Sequence, residues 1–291
     1  MDWARPAVYT AAGMLALGGL LALPAMIPRA AFWRRCSRLM AIAGMFLCLA
    51  VAILSWVQIG RPPVGSRAEM YLLLASTLVL AYIVAEGLAK SREAGLPVLL
   101  IAAFLALTGI SGMPHPLAAG EIPLPVRSAW IAPYLATSLA AYGFLFAAGI
   151  QAVVLLVVRE IWPRRAERAG RAVYWSVCLG LPLLIWSMMI AALWSHGVRA
   201  SVWSWTGREI WTLAYCLLLA AYLNVHIIAG WRERRAAWFL VVASLVGLCS
   251  FASLQQLPAA TGDLRVGSGR STGPRHPAGA TRSAGPRREG R

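Results

Sequence analysis

The sequence predicts an all-α membrane protein, a polytopic bundle of about eight transmembrane helices. Of its 291 residues, 59% are hydrophobic and only 13% are charged, and the mean hydropathy is +0.67. Apolar runs of about 18 residues or more, long enough to cross a bilayer, recur along the chain. Backbone groups in lipid must hydrogen-bond within the protein, so only helices and closed barrels span a membrane. The alternating pattern of barrel strands is missing, which leaves helices.

Each predicted helix is an apolar run bounded by polar, basic or proline-containing residues. In order, the predicted ranges are 7–28, 39–59, 69–86, 96–113, 130–157, 172–194, 211–230 and 237–256. The first is expected to be retained rather than cleaved as a signal peptide, because Asp2 and Arg5 precede it and no clear small-residue cleavage site follows.

The chain is expected to have three parts. Residues 1–38 form the first helix and a basic cytoplasmic loop, and residues 39–256 form the main membrane domain. Residues 257–291 are rich in Gly, Pro, Ser and Arg without an apolar period, which predicts a disordered basic tail. That tail could contact anionic lipid or a partner, or be an extension without a role.

The distribution of charge among the loops predicts how the bundle is oriented in the membrane. The net charge of +16 lies in loops and the tail, so we attribute it to topology rather than to nucleic-acid binding. One set of alternate loops is rich in basic residues and is expected to face the cytoplasm; it contains Arg29, Arg34, Arg35, Arg38, Lys90, Arg92, Arg159, Arg164, Arg165, Arg168, Arg171, Arg232, Arg234 and Arg235. The other set, with Arg61, Arg67, Arg127, Arg199 and Arg208, is then extracytoplasmic, as are both termini.

A short outer segment concentrates tryptophan: Trp194, Trp203, Trp205 and Trp211 fall within residues 194–211. Indole combines a wide apolar face with one N–H donor. It therefore suits the membrane–water interface, and it equally suits the face of a large planar ligand. The pattern alone leaves both interpretations open.

Residues 203–211 resemble the tryptophan-rich signature of the cytochrome c assembly family, the haem-handling membrane proteins of c-type cytochrome biogenesis. Trp203, Trp205, Glu209 and Trp211 match that signature, and Arg208 replaces its lysine. The sequence departs from it at three positions: Arg199 for Trp, Thr206 for Asp and Gly207 for Pro. Segments 60–69, 123–130, 221–224 and 230–237 are also similar, in the family's order, so the resemblance covers about residues 40–256.

The resemblance implies haem ligation by histidines at four positions, and here this chain departs from the family. Three of the positions read Arg61, Tyr134 and Asn224, and no counterpart of the fourth is visible. A phenolate can ligate ferric haem, so Tyr134 stays a candidate. His115 and His196, on the predicted outer side, are candidates for a displaced axial pair or are simply exposed loop histidines.

The resemblance also implies the rest of a haem site. The indoles of Trp194, Trp203, Trp205 and Trp211 would cover the porphyrin face. Arg199 and Arg208 would pair with the propionates, because a guanidinium binds a carboxylate in a bidentate fork. His226 lies two residues beyond Asn224, a rotation of about 200° on a helix, so it does not inherit that direction.

Other side chains indicate structural roles. The five cysteines are scattered without a CxxC motif, which supports neither a redox pair nor a zinc site. Glu69 and Glu86 mark the ends of the third helix, and Glu209 stands in the first turn of the seventh, where the helix dipole favours a negative charge. Gly143 and other small residues are expected to allow close helix packing.

The function that the resemblance implies is haem handling in cytochrome c maturation, with haem b bound or transferred at the outer face of a bacterial inner membrane. The partners would be apocytochrome c, other biogenesis subunits and membrane lipid. This describes a haem-binding assembly factor more than a self-contained enzyme. Two alternatives stay open: a scaffold subunit that binds no haem, favoured by the missing histidines, and a membrane transporter.

Overall fold

The computed structural model describes residues 4–25, 31–59, 67–111, 130–199, 203, 205–228 and 233–254. Within these ranges the secondary structure is entirely helical, which confirms the predicted class. The helices are α1 (Ala4–Ala25), α2 (Ala31–Ile59), α3 (Arg67–Ala89), α4 (Gly95–Ser111), α5 (Ile131–Ile161), α6 (Pro163–Arg199), α7 (Gly207–Ile227) and α8 (Glu233–Leu254). The predicted tail lies outside the described residues.

Seven of these helices are long and apolar enough to cross a membrane. The exception, α4, has 17 residues and is apolar over Gly95–Gly109. That length is at the lower limit of the range of about 17 to 25 residues that spans a bilayer. The chain is therefore a polytopic helical membrane protein.

Two helices begin earlier than the sequence predicted. α2 starts at Ala31 rather than near residue 39, and α6 starts at Pro163 rather than near residue 172. The arginines that we assigned to loops, such as Arg38 and Arg168, instead occupy the first turns of these helices. Arginine is a good helix former, and its long stem lets the charge stay in water beside a span.

The bundle has two cores that meet at α3 and α5. One core is formed mainly by α1, α2, α3 and α4, with Leu15 and Leu78 fully buried in it. The other is formed mainly by α5, α6, α7 and α8, around Leu145 and Tyr215. The Thr77 hydroxyl of α3 donates to the Leu139 carbonyl of α5 at 3.0 Å, which links the two halves.

A single residue, Trp162, separates α5 from α6. Its N–H donates to the Val158 carbonyl at 2.6 Å, and its carbonyl accepts from the Arg165 N–H at 2.9 Å. The Arg165 guanidinium also lies over the Trp162 ring, 5.1 Å from its centre. The two long helices therefore form a tight antiparallel hairpin, with the start of α5 near the end of α6.

Candidate functional site

The candidate site lies where α5 and α7 begin and α6 ends, at the predicted outer end of the bundle. Tyr134 and Trp194 are each 5% exposed, and their rings are parallel to within 3° at a centroid distance of 6.3 Å. The guanidinium carbon of Arg208 lies 5.5 Å from the centre of the Tyr134 ring and 5.7 Å from that of Trp194. Its Nη1 donates to the Tyr134 hydroxyl at 3.2 Å. One cation thus holds three helices together through aromatic faces and a hydrogen bond.

Thr206 and Glu209 begin α7 with a capping box. The Glu209 N–H donates to the Thr206 hydroxyl at 3.4 Å, and the Thr206 N–H donates to the Glu209 carboxylate at 3.1 Å. This confirms the predicted structural role of Glu209. It also explains the departure from the family at residue 206, because threonine and aspartate both serve as N-caps. The Thr-x-x-Glu spacing was a readable signal that the sequence interpretation missed.

A small cavity of about 30 Å³ lies beneath these residues. Polar groups from three helices line it: Tyr134, Ser138, Tyr142, Ser187, Arg208, Glu209 and Thr212. One water molecule needs roughly 10–15 Å³ of such a cavity. The cavity therefore accommodates a few atoms, such as a carboxylate, and is far too small to enclose a porphyrin.

Hydroxyl groups connect the cavity to α8. The Tyr142 and Ser250 hydroxyl oxygens are 2.6 Å apart, and those of Ser250 and Thr212 are 3.0 Å apart. The Thr212 hydroxyl also donates to the Arg208 carbonyl at 2.8 Å. The sequence interpretation did not include these residues, although polar side chains within apolar spans are a recognised signal of function.

The four tryptophans divide into an inner and an outer pair. Trp194 is buried, and Trp203 is half-buried and lines the cavity. Trp205 is 69% exposed and Trp211 is 43% exposed. Trp203 and Trp205 make an edge-to-face contact at 5.9 Å, so an exposed indole adjoins the cavity wall. Trp205 has a φ of +52°, in the left-handed region that residues other than glycine rarely adopt.

One candidate haem ligand, His196, is exposed on α6 and does not line the cavity. Being two residues beyond Trp194, it points about 200° away around the helix. Arg199 ends α6, but its side chain, like His115 and Arg61, lies outside the described residues.

Asn224 is exposed near the end of α7 that is remote from the site. His226, in the last turn of α7, lies between the rings of Tyr174 at 5.3 Å and Tyr222 at 5.8 Å. It is therefore packed against α6 rather than directed to the outer cluster. Across the described ranges, no group of three or more His, Cys, Asp or Glu side chains is arranged to hold a metal ion.

Comparison with known proteins extends the resemblance beyond the tryptophan-rich segment. Residues 64–256 match the model of a family described as "Cytochrome C assembly protein". A "Cytochrome c biogenesis protein CcsA" from Synechococcus elongatus is 27% identical over 269 residues, covering 72% of this chain and 81% of the relative. The protein of that name from Gloeobacter violaceus is 22% identical over 264 residues, covering 66% and 78%. That from Trichormus variabilis is 37% identical over 90 residues, covering 30% and 26%.

Proposed function

Because this chain belongs to the cytochrome c assembly protein family, we propose that it holds and presents haem b during cytochrome c maturation. The proposed place is the outer face of a bacterial inner membrane. Haem is the cargo, and its attachment uses the reactivity of the haem and of apocytochrome thiols. The protein would supply position, through the outer tryptophans and Arg208, and would work with apocytochrome c and other biogenesis subunits.

The observation that carries this proposal is the exposed, left-handed Trp205 beside the Arg208 cavity. A left-handed residue other than glycine costs roughly 1–2 kcal/mol. At 69% exposure, the Trp205 side chain recovers little of this by burial. Packing within the protein therefore gives no reason for an indole here, whereas the membrane–water interface or a ligand that stacks on the indole does.

The cavity size determines how haem would be held. A porphyrin does not fit inside about 30 Å³, so we place it against the exposed faces of Trp205 and Trp211. A propionate would then enter beside Trp203 and meet Arg208, a charge-assisted pairing that guanidinium geometry favours. Glu209 lies 3.9 Å from Arg208 and offsets part of that charge, so the carboxylate of the cargo must compete with it.

This placement favours an exposed axial ligand over a buried one. Tyr134 is 5% exposed and its hydroxyl accepts from Arg208, so it could reach iron only if the cluster opened. His196 is exposed, and His115 is the other outer candidate.

Hemin titration of the detergent-purified full chain, followed by the Soret band, tests the proposal. Trp205→Ala and Arg208→Ala should each weaken hemin binding about tenfold, the effect of losing one stacking surface or one charged hydrogen bond. The matched control is Trp238→Ala, because Trp238 is 56% exposed near the start of α8, at the opposite end of the bundle. Equal losses in all three variants would contradict a specific outer site.

A second function, a scaffold that binds no haem, is favoured by one observation. In the described part of the chain, two positions where the family resemblance implies haem-ligating histidines hold Tyr134 and Asn224 instead. The wild-type chain would then give no Soret band with hemin but would still copurify with apocytochrome c or with other biogenesis subunits.

A further inference from the structure

Three arginines surround a small cavity at the opposite end of the bundle from Arg208. The cavity, about 20 Å³, lies among α1, α2, α3 and the turn before α4. We call its lining residues Arg34, Arg38, Tyr82, Glu86 and Arg92 the inner basic cluster. Nothing in the proposed haem site involves these residues.

The described lining of this cavity carries more positive than negative formal charge. Glu86 pairs with Arg92 at 3.0 Å and with Arg38 at 3.6 Å. It is the one carboxylate among three guanidinium groups in the described lining. Glu93, close behind, accepts from the Ser91 hydroxyl at 2.6 Å and from the Arg92 N–H at 2.8 Å. The lining therefore keeps a positive charge that an anion can neutralise.

A buried hydroxyl also faces this cavity. Tyr82 is 7% exposed and lines it. A phenol hydroxyl can donate one hydrogen bond, and an acceptor oxygen in the cavity would receive it.

The position of the cluster indicates how deep in the membrane its ligand would lie. Arg34 lies in the first turn of α2, where the helix dipole disfavours a cation unless an anion accompanies it, and Arg38 lies one turn further on. In that first turn, Phe32 is 69% exposed and Trp33 is 43% exposed. Exposed aromatic rings at the end of a span are typical of the membrane–water interface. The cluster thus lies at the depth of lipid headgroups, on the predicted cytoplasmic side.

We propose that the inner basic cluster binds the phosphate of an anionic phospholipid from the adjacent leaflet. One phosphate oxygen enters the cavity and accepts from the Tyr82 hydroxyl. The other oxygens meet Arg34, Arg38 and Arg92 at the surface, where the Arg38 and Arg92 side chains are 47% and 46% exposed. The lipid would fasten α1, α2 and α3 together, and this role is independent of haem handling.

Thermal unfolding of the full chain in detergent tests the site by titration with phosphatidylglycerol, phosphatidylcholine or inorganic phosphate. Phosphatidylglycerol should raise Tm saturably, and phosphatidylcholine should not. Arg34→Gln should weaken the apparent affinity about tenfold, and Tyr82→Phe should weaken it roughly threefold to tenfold with little change in packing. Arg35→Gln is the matched control: Arg35 is the next residue on α2, is exposed and does not line the cavity.

Several outcomes of these titrations would contradict the proposal. Arg35→Gln weakening binding as much as Arg34→Gln would show diffuse surface attraction and overturn the site. An unchanged affinity in Tyr82→Phe would remove the cavity from the proposal. Equal stabilisation by the two lipids, or the same saturable shift with inorganic phosphate alone, would overturn the lipid assignment. Hemin binding measured on these variants should stay unchanged, which separates this inference from the haem proposal.

Discussion

Tyr134 and Trp194 stack with parallel rings, although one lies in the first turn of α5 and the other near the end of α6. Arg208, from a third helix, covers both rings and donates to the Tyr134 hydroxyl. These three side chains therefore hold one another in place at the base of the tryptophan segment. A base ordered by its own contacts would favour the proposed presenting role, because ordering it on binding would reduce affinity.

Tyr134→Phe should keep the stack and remove the acceptor of the Arg208 hydrogen bond. A hydrogen bond to a charged group contributes about 1.5–3 kcal/mol, so we expect Tm in detergent to fall by several degrees. Tyr9→Phe, at a 57% exposed position on α1, is the control and should leave Tm unchanged. The same shift in both variants would show that the hydrogen bond contributes nothing specific.

Thr206→Ala should destabilise the start of α7. The variant loses the side-chain oxygen that accepts from the Glu209 N–H, a loss that costs about 1 kcal/mol at an N-cap. Thr206→Asp keeps an acceptor and should retain most of the stability. Thr10→Ala is a control, since the Thr10 hydroxyl bonds to the Ala7 carbonyl in an exposed turn of α1. Thermal unfolding that ranks the Asp variant with the Ala variant would argue against the capping box.

Gly207→Pro should stabilise the protein. Residue 207 is the first of α7, a position where proline is favoured, and a side-chain carbon there meets no atom within 4 Å. Thr206, at φ −66° and ψ 154°, already has the extended conformation that a residue before proline requires. We expect a gain of about 0.4–1 kcal/mol in the free energy of unfolding, measured as a rise in Tm. A fall in Tm would mean that the start of α7 differs from this description.

Trp205→Gly and Trp205→Ala separate strain from stacking. Both variants lose the indole, so both should bind hemin weakly. Only glycine adopts a φ of +52° at little cost, so the glycine variant should be more stable than the alanine variant by about 1 kcal/mol. Equal Tm values would show that the left-handed conformation does not persist in the variants.

Gly143→Ala should destabilise the junction of the two halves. A side-chain carbon at residue 143 would lie 2.5 Å from the Thr77 hydroxyl oxygen and 2.7 Å from the Thr77 backbone carbon. Overpacking of this kind costs typically about 1–3 kcal/mol. Gly87→Ala, near the end of α3, meets no atom within 4 Å and should be neutral or slightly stabilising. If the two variants unfold at the same temperature, α3 and α5 do not pack as closely as described.

The sequence was sufficient for the helical class and the number of helices, because apolar length is a local property. Helix starts were harder to predict: Arg38 and Arg168 were read as loop residues, although a basic side chain can continue a helix into water. The Thr206–Glu209 cap was readable from spacing alone. The contact of Arg208 with Tyr134 and Trp194 was not, because it depends on the packing of three helices.

The one-residue corner at Trp162 has a consequence for how this protein can change during evolution. From that corner, α5 extends about 40 Å before reaching Tyr134, and α6 extends about 50 Å before reaching Trp194. One inserted residue would turn α6 by about 100° relative to α5. The indole would then leave the phenol, and Arg208 would lose one of its two aromatic partners. Natural variation in length should therefore be rare at this corner, however far it lies from the surface it aligns.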